Sequence, residues 1–164
     1  MWIEYYITVP AIYHHYLPEL LSCFLDCQDS LGYNHPDRRE QMEEKKKRLL
    51  YVLFTGVSSP HRVYQPFLLS IAARAMDLDA TIYFRSAGVV VVKKGEAEKL
   101  QVEPYPVLKE LMDQAIEAGV KFMACEQSAR GFGVKEGDLL PEVELVGAAT
   151  LNLQVLEADG SLWF

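Results

Sequence analysis

The run Leu49-Leu50-Tyr51-Val52-Leu53-Phe54-Thr55-Gly56 constrains this chain more than any other stretch. A continuous apolar segment closed by glycine suits a strand buried on both faces, and such strands belong to parallel sheets covered by helices. The next residues fit that architecture. Ser58-Ser59-Pro60 supplies helix-start chemistry, a hydroxyl cap followed by proline in the first turn. Tyr64, Phe67, Leu68, Ile71, Ala72, Ala75 and Met76 then mark one helical stripe, with Pro66 confined to an early turn.

The same alternation continues to the end of the chain. Residues 79–84 read as a second strand, and residues 88–92 as a third strand or as the edge of a ligand loop. Pro106 opens a helix whose face carries Val107, Leu108, Leu111, Met112, Ala115 and Ile116, with Gly119 as its C-terminal cap. Residues 121–125 form a further strand, and Leu139-Leu140-Pro141 a connection. Residues 144–156 fit a helix through Val146, Ala149, Leu153 and Leu156, and a strand through Leu151, Leu153 and Val155. The helix is favoured, because Ser161-Leu162-Trp163-Phe164 then makes a short last strand after the Asp159-Gly160 turn. This βαβ rhythm predicts an α/β domain over residues 49–164, a three-layer sandwich with a mainly parallel central sheet.

Residues 1–48 stand apart as an N-terminal extension. Residues 2–9 are rich in aromatic and β-branched side chains and form a candidate strand closed by Pro10. Tyr13, Tyr16, Leu17, Leu20, Leu21, Phe24 and Leu25 recur at helical spacing, so residues 12–27 are expected to form an amphipathic helix with Pro18 at its start or at a kink. Such a helix needs a surface to cover. Charge blocks over residues 37–48, with Glu40/Glu44 and Glu44/Arg48 spaced for pairing, read as a solvated helix or linker. Cys23 and Cys27 share a helical face near His14, His15 and His35. Structural zinc sites present pairs on tight turns with a second pair at recognisable distance, and that partner pair is missing, so no metal is expected.

Composition narrows the function classes. The 164 residues are half apolar, enough for one well-filled core. With 23 acidic against 16 basic side chains and a formal charge of -7, non-specific nucleic-acid binding is not expected, and proteins or small molecules are the better partners. Three cysteines, an odd number, argue against a secreted disulfide framework and for reduced thiols in a cytoplasmic setting. Residues 1–10 carry Glu4 and no basic n-region, and no stretch of about 18 apolar residues occurs, so neither a signal peptide nor a membrane span is expected.

Chemistry concentrates where Lys121-Phe122-Met123-Ala124-Cys125 runs into Glu126-Gln127-Ser128-Ala129-Arg130-Gly131-Phe132-Gly133. Ligands and reactive groups collect at the carboxyl ends of strands in open α/β sheets, and a thiol at the start of a helix is favoured as thiolate. A free cysteine is equally at home as a small buried hydrophobe. Both readings of Cys125 stand at this point. Nucleotide-binding motifs fit less well, since Gly131-Phe132-Gly133 lacks the further glycine spacing and no Walker lysine follows the first strand.

Taken in order, residues 49–164 resemble the DsrE/DsrF family of small α/β proteins, which includes the TusB, TusC and TusD sulfur-relay subunits. The resemblance is carried by the opening strand with its polar Gly-Ser-Pro loop, the Phe84-to-Gly88 segment, Cys125-x-x-Ser128 followed by Gly133, and the ending from Gly147 through Ala158-Asp159 to Phe164. It implies that Cys125 accepts a sulfane sulfur as a persulfide and passes it to a partner. Ser128 would be its first-turn neighbour, with Gln127 supporting. It implies a homo-oligomer, trimer or hexamer, partnered by sulfur donor and acceptor proteins, with no cofactor. Glu126 opposes thiolate formation unless it turns away, and Arg130 offsets it only if the fold brings the guanidinium back. His61, in the loop after the first strand, is a further candidate near the same sheet end. The alternatives are a non-catalytic oligomeric subunit or scaffold of the same fold, and a thiol-based redox sensor.

Overall fold

A computed structural model describes residues 46–164, and the expectations for the strand, helix and cysteines nearer the N-terminus lie outside the described residues. In chain order the elements are β1 (Arg48–Leu53), α1 (Pro60–Ala75), β2 (Asp79–Phe84), α2 (Leu108–Glu117), β3 (Lys121–Cys125), α3 (Glu126–Gly131), β4 (Val143–Val146), α4 (Ala148–Glu157) and β5 (Gly160–Trp163). Every strand pairing among them is parallel, and the sheet order is β4-β3-β2-β1-β5.

That order dictates where the helices go. From β1 to β4 the chain steps across the sheet in one direction, and from β4 to β5 it returns to the opposite edge. Right-handed crossovers then put α1 and α2 on one face and α4 on the other. Side-chain alternation agrees. Tyr51, Leu53, Ile82, Phe84, Phe122 and Ala124 join Val63, Phe67, Leu111 and Met112 in the larger core. Leu50, Val52, Tyr83 and Cys125 form the smaller one with Leu151 of α4. In the larger core Phe122 meets Phe67 and Phe84 edge-on at centroid distances of 5.8 and 5.5 Å, contacts that stabilise by roughly 0.5–1.5 kcal/mol each beyond area burial.

Local sequence explains most boundaries. Pro60 opens α1 as expected, but Ser59 caps it through its backbone carbonyl, which accepts from Arg62 and Val63, and not through its hydroxyl. Gly119 ends the α2 segment at φ +82, where its N–H reaches the Ile116 carbonyl and Val120 reaches Ala115. The helix itself begins at Leu108, two residues beyond Pro106, with Val107 still extended.

Two expectations need correction. Residues 88–92 are not a strand: Ser86–Val90 is a 3-10 turn whose Gly88 packs under the end of β1. A Cβ at Gly88 would lie 2.3 Å from the Leu53 carbonyl oxygen, so only glycine permits this approach. Residues 144–156 are both of the things their pattern allowed, in succession. Residues 143–146 pair with β3 as an edge strand, Gly147 caps, and the helix occupies Ala148–Glu157. The last strand falls where expected. No helix among the described residues is long and apolar enough to cross a membrane.

Candidate active site

The topology opens a crevice at the carboxyl end of β3. The chain leaving β3 enters α3 and returns through Val134, Leu139 and Leu140 of the larger core, whereas the chain leaving β4 crosses to α4 on the other face. Diverging connections of this kind leave a gap outside the strand ends. Here the gap is a cleft of about 460 Å3. Tyr83 of β2 and the residues just after that strand, Arg85 and Ser86, form one side; β3 contributes Cys125; α3 contributes Gln127 and Ser128, with Phe132 just past its end; and α4 closes it with Ala148, Leu151 and Asn152.

Cys125 is the residue before α3, with extended backbone at φ -72 and ψ 118. Strand alternation points it to the same face as Tyr83, because Tyr83 pairs with Met123 two residues earlier in β3. Only 3% of its surface is exposed. A strand–helix junction can leave a thiol open to solvent, but here Leu151 and Tyr83 pack against it, leaving it recessed at the inner wall of the cleft.

Burial pushes the Cys125 thiol up, and hydrogen bonds more than reverse it. The Ser128 hydroxyl and backbone N–H, the Tyr83 hydroxyl and the Gln127 backbone N–H all act on the sulfur, leaving it below the ordinary cysteine value. These donors are themselves organised. The Ser86 N–H donates to Ser128 Oγ at 2.9 Å, which leaves the Ser128 hydroxyl proton for the thiolate. Ser86 holds a left-handed φ of 50, a conformation that a non-glycine residue adopts at a cost of about 1–3 kcal/mol. Gly88 and Arg85 brace this turn through their N–H bonds to Phe54 and Leu53 carbonyls. Tyr83 titrates upward, first through burial and then through the charge and hydrogen bond of Cys125, so it remains a neutral donor. Its hydroxyl also lies 3.4 Å from the Gly147 carbonyl.

The remaining candidates separate. Gln127 and Ser128 line the cleft with Cys125. Arg130 does not line it; its Nη2 pairs with Glu126 Oε1 at 3.3 Å, so the adjacent carboxylate is turned onto a cation and away from the sulfur. His61 is an exposed residue of the first turn of α1 and is not among the lining residues. Sequence reasoning missed Tyr83, Ser86 and Arg85. The available signal was a tyrosine one residue before the end of the strand, with Arg-Ser directly after the strand and before the glycine turn. Among the described residues no cluster of three or more His, Cys, Asp or Glu side chains could hold a metal ion.

Known proteins share this framework. The sequence model of the DsrE/DsrF-like family matches residues 47–164. Uncharacterized protein MJ0760 of Methanocaldococcus jannaschii is 30% identical over 116 residues, which cover 68% of this chain and 42% of that protein, so the likeness spans less than half of its length. The crystal structure of the ychN protein from E. coli superposes with a TM-score of 0.61 at 19% identity, covering 73% of this chain and all of that one, 100%. MTH1491 from Methanobacterium thermoautotrophicum, described as a protein of unknown function, gives 0.51 at 16% identity over 73% of this chain and 100% of its own. At these identities the two structures establish the fold alone.

Proposed function

We propose that this chain, which belongs to the DsrE/DsrF-like family, takes a sulfane sulfur onto Cys125 as a persulfide and hands it to a partner. Family membership carries a sulfur-relay role in general terms; the assignment to Cys125 rests on its surroundings. The observation that carries it is a thiol lowered below its ordinary value by Ser128, Tyr83 and Gln127 inside a cleft. The thiolate, and not the thiol, attacks sulfur. In the step, the Cys125 thiolate attacks the outer sulfur of a donor, a new sulfur–sulfur bond forms, and the donor's own sulfur–sulfur bond breaks with its electron pair leaving on the donor. The same hydrogen bonds then hold the persulfide anion until an acceptor thiolate repeats the exchange. Donor and acceptor are proteins or small thiols able to reach a recessed sulfur, and a reducing compartment, the cytoplasm, is the setting proposed.

The low exposure of Cys125 is the one observation that favours the scaffold alternative, in which the thiol is inert packing. Intact mass of the reduced protein after exposure to inorganic polysulfide separates the two. One added sulfur, mapped to Cys125 and removed by dithiothreitol, supports the relay; no addition supports the scaffold.

A homo-oligomer, trimer or hexamer, is part of the same proposal. Its support is the thinly covered face: α4 buries only Leu151, while Leu153, Val155 and Leu156, with Leu162 and Trp163 of β5, stay exposed. A second subunit over this face would remove them from water.

A further inference from the structure

Among the described residues, Arg85 is the only charged one lining the cleft. It stands immediately after β2, anchored by its N–H on the Leu53 carbonyl, and its guanidinium lies 5.6 Å from the centre of the Phe54 ring. Phe54 in turn stacks on Trp163 at 5.6 Å, so the cation rests on a two-ring platform that fixes its direction. Among the described residues no carboxylate pairs with it, unlike Arg48, Arg74 and Arg130. A planar fork with unspent donors, held at the mouth of a site that leads to a nucleophile, is built to receive an anion. The guanidinium is thus available to an anionic group on a ligand that also reaches Cys125.

We propose that the cleft takes a small anionic sulfane-sulfur donor, whose outer sulfur meets Cys125 while Arg85 holds the negative group on the portion that leaves. This inference rests on the relay reading of Cys125. A volume of about 460 Å3 exceeds what thiosulfate alone needs and accommodates the persulfide of a low-molecular-weight thiol that carries a carboxylate. Both share the chemistry in question. With thiosulfate, the Cys125 thiolate bonds to the outer sulfur, the sulfur–sulfur bond to the sulfonate breaks, and sulfite departs with the electron pair. With a low-molecular-weight persulfide the proton stays on the transferred sulfur, and the leaving group is the parent thiolate. In either case the departing portion already carries an anionic group before the exchange, the sulfonate or the carboxylate, and Arg85 binds that group.

The test compares donors and variants by the rate at which one sulfur is added to the full chain. Thiosulfate and glutathione persulfide are the two anionic arms, and the persulfide of 2-mercaptoethanol, which carries no anionic group apart from the thiolate that departs, is the comparator. In the parent, one anionic donor or both load faster than the comparator, and the faster of the two identifies the source. In Arg85→Gln the ratio of anionic to neutral rate constants falls roughly tenfold, the size expected for loss of a charge-assisted contact, and Arg85→Lys recovers part of it. Far-ultraviolet circular dichroism of each variant establishes that it is folded. A parent that loads all three donors alike, or an Arg85→Gln variant that slows all three by one common factor, overturns the inference and leaves the relay reading standing. Loading from no donor, polysulfide included, overturns both.

Discussion

Removing the Ser128 hydroxyl perturbs the site at its most informative point. Ser128→Ala deletes one of four hydrogen bonds that lower the Cys125 thiol and leaves the Ser128 and Gln127 backbone N–H groups and the Tyr83 hydroxyl in place. A hydrogen bond to a charged group contributes about 1.5–3 kcal/mol. One pKa unit corresponds to about 1.36 kcal/mol, so the thiol should titrate about one to two units higher. The sign is set by the group: a thiol deprotonates as pH rises, so a higher value means less thiolate at any pH below the inflection, about tenfold less per unit. The substitution also strips the Ser86 N–H of its acceptor at a residue already held at φ 50, which should lower stability by about 1 kcal/mol. The assay is the rate of iodoacetamide addition to Cys125 as a function of pH, read by mass on the peptide that contains it. The parent should show its inflection below about 8.5, the unperturbed thiol value, and Ser128→Ala should move it upward. An inflection unchanged by the substitution would refute the donor network described for this sulfur.

Other expectations rest on the same geometry. Tyr83→Phe removes the hydroxyl that reaches both Cys125 and the Gly147 carbonyl; the alkylation inflection should rise by about one unit while urea denaturation shows a loss under about 1 kcal/mol, since Gly147 is exposed to water. Gly88→Ala drives a methyl against the Leu53 carbonyl and should lower the urea midpoint by an amount equivalent to about 3 kcal/mol or more. Light scattering at micromolar concentration should give a trimer or hexamer, and Leu156→Asp, on a residue that is 82% exposed, should shift it toward smaller species with little change in secondary structure. A parent that is monomeric throughout that range would remove the oligomer from the proposal.

Much of this fold could be read before any coordinates. β1 and β3 declared themselves as apolar runs because strands central to a parallel sheet bury both faces, and α1 and α2 showed their stripes because each covers one face of that sheet. Two regions escaped for physical reasons. β4 is an edge strand of four residues, none of them fully buried, joined to α4 by the single residue Gly147, so its sequence merges with the helical pattern after it. Residues 88–92 are β-branched yet turn in a 3-10 helix, because the fit of Gly88 under Leu53 and its bonds to Arg85 and Phe54 override the local propensity. At the site, Cys125, Gln127 and Ser128 were legible because they adjoin one another at a strand–helix junction. Tyr83, Ser86 and Arg85 were not, because they reach the cleft from the neighbouring strand and only the β2–β3 register brings them there. His61 shows the converse: its place after the first strand pointed to the correct end of the sheet, but it is exposed on α1 and outside the cleft lining.

The most direct test of the central claim is the position of an added sulfur. The parent and the Cys125→Ser variant are reduced, exposed to inorganic polysulfide near neutral pH, cleared of small molecules and weighed intact, with peptide mapping to assign the sulfur among Cys23, Cys27 and Cys125. The expected result is one sulfur on the parent, located at Cys125, and none on the variant, whose fold survives because serine differs from cysteine here by one atom. A Cys125→Ser variant that still gains a sulfur as the parent does, or a parent that gains none, would contradict the relay reading and return Cys125 to the core as packing.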